Sequence, residues 1–282
     1  MPLFIYLGAR CMSKESVFAN VKDYAEIRIE TEPPIAWIIL NRPHRLNAIT
    51  PKMISEIEDA LKKLQVREDV KVIIFAGSGD KAFSAGADVN LLREPDTTYS
   101  GYALTIGLSR LATMIEEYPK PTIAAIKGYA LGGGFELALA CDFRLATENA
   151  RMGLPEINLG LLPAGGGMQR LLKMVGVART KELAMLGEQI DSNEAKRIGL
   201  LTKVFPSEGF EEEVKKFALR VAEMPQHALK AVKFAIRAES ESSLSSGSLL
   251  ESFLFDSLIA TKDSKERIEA FLSRGKQQSK AE

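Results

Sequence analysis

Two rhythms of apolar residues run along this chain. Residues 25–30 alternate apolar and polar, as a half-buried strand does, whereas residues 35–40 form an unbroken apolar run that fits a buried strand. Glu32-Pro33-Pro34 between them predicts a hairpin. A helical rhythm follows: Thr50-Pro51 is a cap with proline at the first helical position, and Met53, Ile54, Ile57, Leu61 and Leu64 share one face. Residues 70–76 read as another buried strand, closed by Gly77-Ser78-Gly79-Asp80. Residues 99–117 return to helical spacing through Leu104, Leu108, Leu111, Met114 and Ile115, weakened by Gly107, until Pro119-Lys120-Pro121 stops the helix.

Thr122-Ile123-Ala124-Ala125-Ile126 is one more buried strand, and residues 135–140 are rich in helix formers, so Gly132-Gly133-Gly134 stands where strand gives way to helix. Short strands are expected near 143–147 and 151–153, and Gly165-Gly166-Gly167 turns into a helix bearing Leu171, Leu172 and Met174. Past Leu201-Thr202-Lys203-Val204-Phe205 only helical periodicity remains, interrupted by a serine-rich stretch over 240–248 that reads as a loop. The pattern is that of one αβ core to about residue 205 with a helical C-terminal portion.

Composition narrows the function classes. The 282 residues are 46% apolar and 26% charged, ordinary for a globular protein with a sizeable core. Lys+Arg and Asp+Glu balance at 37 each, so no overall field draws nucleic acid or an anionic membrane. Cys11 and Cys141 are far apart and lack metal-ligand spacing, which argues against a disulfide framework or a zinc site and for a reducing, cytoplasmic setting. No apolar run approaches the ~18 residues needed to span a bilayer. Pro2 to Gly8 is apolar but short, without a preceding positive charge or a small-residue cleavage site. It reads as a frayed extension, or as sequence upstream of a start at Met12.

The glycine-rich junction carries the first candidate chemistry. Glycine lets another group approach the main chain closely, and the first N–H groups of a helix have no acceptor inside it. Glu136 stands at the opening of that helix, so donors for a developing negative charge and a proton-transfer group come together; the plainer alternative is a tight turn with a solvated glutamate. Ala82-Phe83-Ser84-Ala85-Gly86-Ala87-Asp88-Val89 has only small residues between Phe83 and Asp88, which lets a ligand lie against backbone, while Asp88 reads as a helix cap. Glu156, in Met152-Gly153-Leu154-Pro155-Glu156, follows Glu136 by twenty residues. Two carboxylates held close split their pKa values and supply an acid and a base, although a surface glutamate after a proline fits the same residues. Asn41-Arg42-Pro43-His44-Arg45-Leu46-Asn47-Ala48 fits a turn, or, through His44 and Arg45, a basic edge beside a phosphate-bearing ligand.

Four segments, in order and spacing, resemble the crotonase, or enoyl-CoA hydratase/isomerase, superfamily. They are Asn41-Arg42-Pro43 with Asn47-Ala48, then Phe83 through Asp88, then Gly128-Tyr129-Ala130-Leu131-Gly132-Gly133-Gly134-Phe135-Glu136-Leu137-Ala138, then Pro163-Ala164-Gly165-Gly166-Gly167-Met168-Gln169-Arg170-Leu171. The resemblance spans about residues 25–275. It implies an α/β fold, a crotonase-like spiral of ββα turns: an extension over 1–22, a core over 23–205 bearing the site, and a helical region over 206–282 used in trimer assembly, usually as a hexamer of two trimers. It also implies an acyl-CoA thioester substrate, fatty-acid β-oxidation as its setting, and no metal or cofactor beyond the coenzyme A of the substrate. The backbone N–H groups of Ala87 and Gly133 would form an oxyanion hole for the thioester enolate. Contacts to substrate or CoA are expected from His44, Arg45, Ala85, Asp88, Val89, Asn90, Ala164 and Lys276.

Hydratases similar to this chain carry glutamates at the positions of both Glu136 and Glu156, whereas related isomerases commonly lack the first. The pair, assigned jointly as acid and base, implies syn hydration of a trans-2-enoyl-CoA or the reverse dehydration of a 3-hydroxyacyl-CoA. Isomerisation, decarboxylation and thioester hydrolysis are alternatives on the same enolate. A non-catalytic RNA-binding relative is a further one, which the balanced charge disfavours. Three departures from the family pattern bear on this. Ala164 replaces a usual glycine and adds a methyl group to the site, Arg267 stands where glycine is common, and no aromatic follows Lys276 at Gln277-Gln278. Neither triple-glycine turn is followed by the Gly-Lys-Ser/Thr of a phosphate-binding loop.

Overall fold

The computed structural model describes residues 24–93, 97–239 and 243–278, so the extension expected over 1–22 lies outside the described residues. A hairpin of β1 (Ile27–Glu32) and β2 (Ile35–Leu40) pairs Ile27 with Leu40 and Glu32 with Ile35, and leads into α1 (Pro51–Gln65). The chain then repeats one path. β3 (Val72–Gly77) lies in a large sheet, β4 (Ala82–Ser84) bends into a small one, and α2 (Thr97–Glu116) follows. β5 (Thr122–Ile126), β6 (Tyr129–Leu131) and α3 (Gly133–Ala140) repeat it, as do β7 (Phe143–Thr147), β8 (Arg151–Gly153) and α4 (Gly167–Leu186). β9 (Gln189–Asp191), α5 (Ser192–Arg197) and β10 (Lys203–Phe205) complete both sheets.

The large sheet runs β1-β2-β3-β5-β7-β10, parallel from β2 onward, and the small sheet runs β4-β6-β8-β9, parallel through β8. This is the ββα spiral expected of the crotonase fold. Each bend between sheets is tight: at Gly128, with φ +59°, a side chain would strike the Lys81 carbonyl.

The unbroken apolar runs are explained by burial on both faces. On β3, Ile73 and Phe75 join the core shared with α1, α2 and α3, while Val72 and Ile74 join a second cluster with Phe210, Val214 and Phe217 of α6 (Phe210–Ala222). The α1 face is as expected: Thr50 Oγ1 accepts the Met53 N–H at 3.0 Å, and all five predicted apolar residues are buried. On α2 four of the stripe residues are buried, with Met114 partly so. Three further helices follow α6, namely α7 (Gln226–Glu239), α8 (Leu244–Ile259) and α9 (Lys262–Gln278). The serine-rich loop expected over 240–248 is corrected here: residues 244–248 open α8, because Ser243 caps that helix by accepting the Ser246 N–H.

Candidate active site

The small sheet decides where the chemistry lies. β4, β6 and β8 are parallel neighbours, so the loops leaving their C-terminal ends emerge on one side. Those loops carry Ala85 to Asp88, Gly132 with Gly133, and Leu154 to Glu156. Ile49 pins the first loop by donating its N–H to Gly86 O (2.7 Å) and accepting the Asp88 N–H (2.9 Å). The N–H of Ala87 takes no part in that bridge. Gly133 is the first residue of α3, whose opening N–H groups lack intrahelical acceptors. The two loops touch: a methyl group on Gly133 would lie 3.5 Å from Ala87 N, and one on Gly86 would lie 3.4 Å from Gly133 N. Ala87 and Gly133, far apart in sequence, are brought together with their N–H groups unspent by secondary structure.

Two carboxylates flank them in unlike surroundings. Glu136 is only 2% exposed, and its Oε1 accepts the Gly165 N–H at 2.9 Å and the Gly167 N–H at 2.8 Å. Burial raises its pKa, opposed by those two N–H groups and by the charge of Arg170. Glu156 is half-buried, and its Oε2 is buried with no hydrogen-bond partner among the described residues. Burial pushes its pKa to about 7; its own backbone N–H works against this, and the nearby charge of Glu136 adds to it. Gly132, with φ +49°, gives Glu156 its place: a methyl group there would sit 2.8 Å from Oε1. One carboxylate is thus held by fixed donors and the other titrates near neutrality, the division of labour an acid–base pair needs.

A second tier holds the Ala87 loop. Arg42 donates to Ala48 O at 2.7 Å and to Asp88 Oδ2 at 3.0 Å, while Asn90 donates backbone and side-chain N–H groups to Asp88 Oδ1. Both oxygens of Asp88 are occupied, capping the short turn Val89–Arg93. Buried Asn47 accepts the Arg42 N–H and donates to Ser78 O and Ala82 O, and Ser84 Oγ donates to Asn47 O.

The other residues expected to contact substrate or CoA stand in varied surroundings. Ala85 is half-buried and donates to Leu46 O at 2.9 Å, which ties its loop to the exposed turn holding His44 and Arg45. Val89 and Asn90 are exposed, as is Ala164 beside Gly165. The side chain of Lys276 lies outside the described residues. Among the described residues no group of three or more His, Cys, Asp or Glu side chains is placed to hold a metal ion, and no helix is long and apolar enough to cross a membrane.

The model of the enoyl-CoA hydratase/isomerase family matches residues 30–281. The chain belongs to that family. A crotonyl-CoA hydratase of Syntrophomonas wolfei is 38% identical over 253 residues, covering 90% of this chain and 97% of that one. A short-chain-enoyl-CoA hydratase of Clostridium acetobutylicum is 34% identical over 248 residues, covering 88% and 95%. Among solved structures, an enoyl-CoA hydratase from Bacillus anthracis superposes with a TM-score of 0.85 at 35% identity, covering 89% of this chain and 97% of that one.

Three members of the site escape sequence reasoning. Leu108 of α2 lies against both Gly133 and Gly165: a methyl group on either would come within 2.9 Å of its Cδ2. It stands out in sequence only as one more residue of the α2 stripe. Arg42 and Arg170 sit inside family motifs, but nothing local distinguishes a buried, loop-holding arginine from a solvated one.

Proposed function

We propose that this protein is an enoyl-CoA hydratase acting on a trans-2-enoyl-CoA, with Glu136 as base and Glu156 as acid. The observation that carries the reading is the unlike pair of carboxylates beside two unspent main-chain donors. The thioester oxygen accepts the N–H groups of Ala87 and Gly133, where negative charge collects as the enolate forms; one such donor is typically worth ~10²–10³ in turnover. Burial raises the Glu136 pKa, but two N–H groups and a neighbouring cation favour its ionised form, which suits it to the role of base. It takes a proton from water as the oxygen bonds to C3. Glu156, titrating at about 7, delivers its proton to C2, giving the 3-hydroxyacyl-CoA by syn addition. Proton exchange then resets the pair.

The finer reading goes with it. The reaction uses no metal and no cofactor beyond the coenzyme A of the substrate, with His44, Arg45 and Lys276 toward the CoA phosphates and Ala85, Asp88, Val89, Asn90 and Ala164 lining the approach. Exposed Phe253, Phe255 and Phe271 in the C-terminal helices support burial in a homotrimer, or a hexamer of two trimers. A cytoplasmic enzyme of fatty-acid β-oxidation is the setting this implies.

Loss of the enoyl-thioester absorbance on adding crotonyl-CoA tests the activity. Glu136→Gln and Glu156→Gln are each expected to lower kcat by ~10²–10⁴. Full activity in the double variant overturns the acid–base roles, and turnover of a 3-enoyl-CoA in preference to crotonyl-CoA replaces hydration by isomerisation.

A further inference from the structure

The donors that hold Glu136 are themselves held. Gly165 and Gly167 belong to the turn that opens α4, and one turn further along that helix Arg170 folds back over it. Arg170 Nη1 donates to Gly165 O at 3.4 Å, and its backbone N–H to Gly166 O at 3.2 Å. Nη2 donates to Glu116 Oε2 at 2.8 Å at the end of α2, the helix whose Leu108 packs on Gly133 and Gly165. The Arg170 side chain is 11% exposed, and its Nε is buried without a hydrogen-bond partner among the described residues. A buried cation short of one bond is costly to place, so a compensating interaction is expected nearby. The charged groups at the carboxylates come from separate elements: Arg170 of α4 acts on Glu136, Glu136 of α3 acts on Glu156 in the turn after β8, and Glu116 of α2 pairs with Arg170.

We infer that Arg170 is a positioning residue for the hydration: it clasps the Gly165–Gly167 turn from its carbonyl side while Glu136 holds the same turn from its N–H side, and it supplies the cation that faces Glu136. The inference rests on the hydratase reading and deepens it. Removing the cation disfavours the ionised form of Glu136, so less base is present at a given pH and activity is lost from the acid side first. A residue that served only as a staple would lower stability or kcat without moving that limb.

The test uses the full chain. Arg170→Gln is expected to move the acid limb of the kcat profile upward by about one pH unit, the shift typical of losing one neighbouring opposite charge. On the limb itself this lowers kcat about tenfold, with KM for crotonyl-CoA unchanged. Arg170→Lys keeps a cation but not the fork, so it should lower kcat while leaving the acid limb in place. An infrared pH titration of the protonated-carboxyl band, assigned to Glu136 by its loss in Glu136→Gln, reads the same shift without turnover. If the wild type hydrates no enoyl-CoA yet the Glu136 band shifts in Arg170→Gln, the hydratase reading fails and the placement of the cation stands. If Arg170→Gln leaves both limb and band unmoved, or Arg170→Lys moves them as far, the inference is overturned.

Discussion

Glu136 reaches across thirty-one residues of chain to accept the N–H of Gly167 at 2.8 Å. The side chain at the opening of α3 thereby satisfies an orphan donor at the opening of α4, so two helix starts share one buried carboxylate. Space around it is tight. A methyl group on Gly165 would lie 2.7 Å from Glu136 Oε2 and 2.8 Å from Leu108. Gly165→Ala is therefore expected to destabilise the fold by about 1–3 kcal/mol through overpacking and to lower kcat more than KM changes. Urea unfolding together with crotonyl-CoA kinetics checks both.

The Glu156 carboxyl should give the hydration rate its alkaline limb. With a pKa pushed to about 7 by burial, it loses the proton it must deliver as pH rises through neutrality. Its folded pKa lies above its unfolded value, so its stability contribution is complete below the unfolded pKa and is lost as pH rises through about 7. Glu156→Gln should accordingly remove the alkaline limb along with the activity, and raise the melting temperature more at alkaline than at acid pH. A melting temperature that tracks the wild type at every pH contradicts the assignment.

Asp88 works in the opposite sense. Burial raises its pKa, but bonds from Asn90 and Arg42 outweigh this and hold it below the usual carboxylate value. Its contribution is present above the unfolded pKa and is lost as pH falls through the lower, folded one. Asp88→Ala takes away the bond that joins Arg42 to the Ala87 loop, leaving Arg42 with Ala48 O and the Glu26 carboxylate. A stability loss of about 1–3 kcal/mol, together with a fall in kcat, is expected from chemical denaturation and steady-state assays.

Cys141 should be chemically silent in the folded protein. It is 3% exposed and its thiol is pushed up to about 12 by burial. Peptide mapping after iodoacetamide treatment should find this residue unmodified in native protein and alkylated in denaturant; rapid native labelling contradicts the packing around it.

Much of this was legible locally. The hairpin, the Thr50 cap, the α1 and α2 faces and the buried runs of β3 and β5 each depend on neighbours a few residues away, so spacing alone reveals them. Both glutamates and both glycine-rich turns were visible for the same reason. The small sheet is legible only in its strand at 151–153: Ala82–Ser84 and Tyr129–Leu131 are three residues each, too short to show a period, and the pairing of all three strands is entirely long-range. The α8 start was misread because serine content signals a loop, whereas here one serine, Ser243, caps a helix.

The sequence by itself determined the residue types, two carboxylates and small residues where backbone must be approached, because these are demands on single positions. Only the tertiary structure decided which groups meet: Ala87 with Gly133, Glu136 with Gly165 and Gly167, Glu156 with Gly132. It also decided how the two glutamates differ. Protonation follows burial, fixed donors and neighbouring charge, and those come from strands and helices that are remote along the chain.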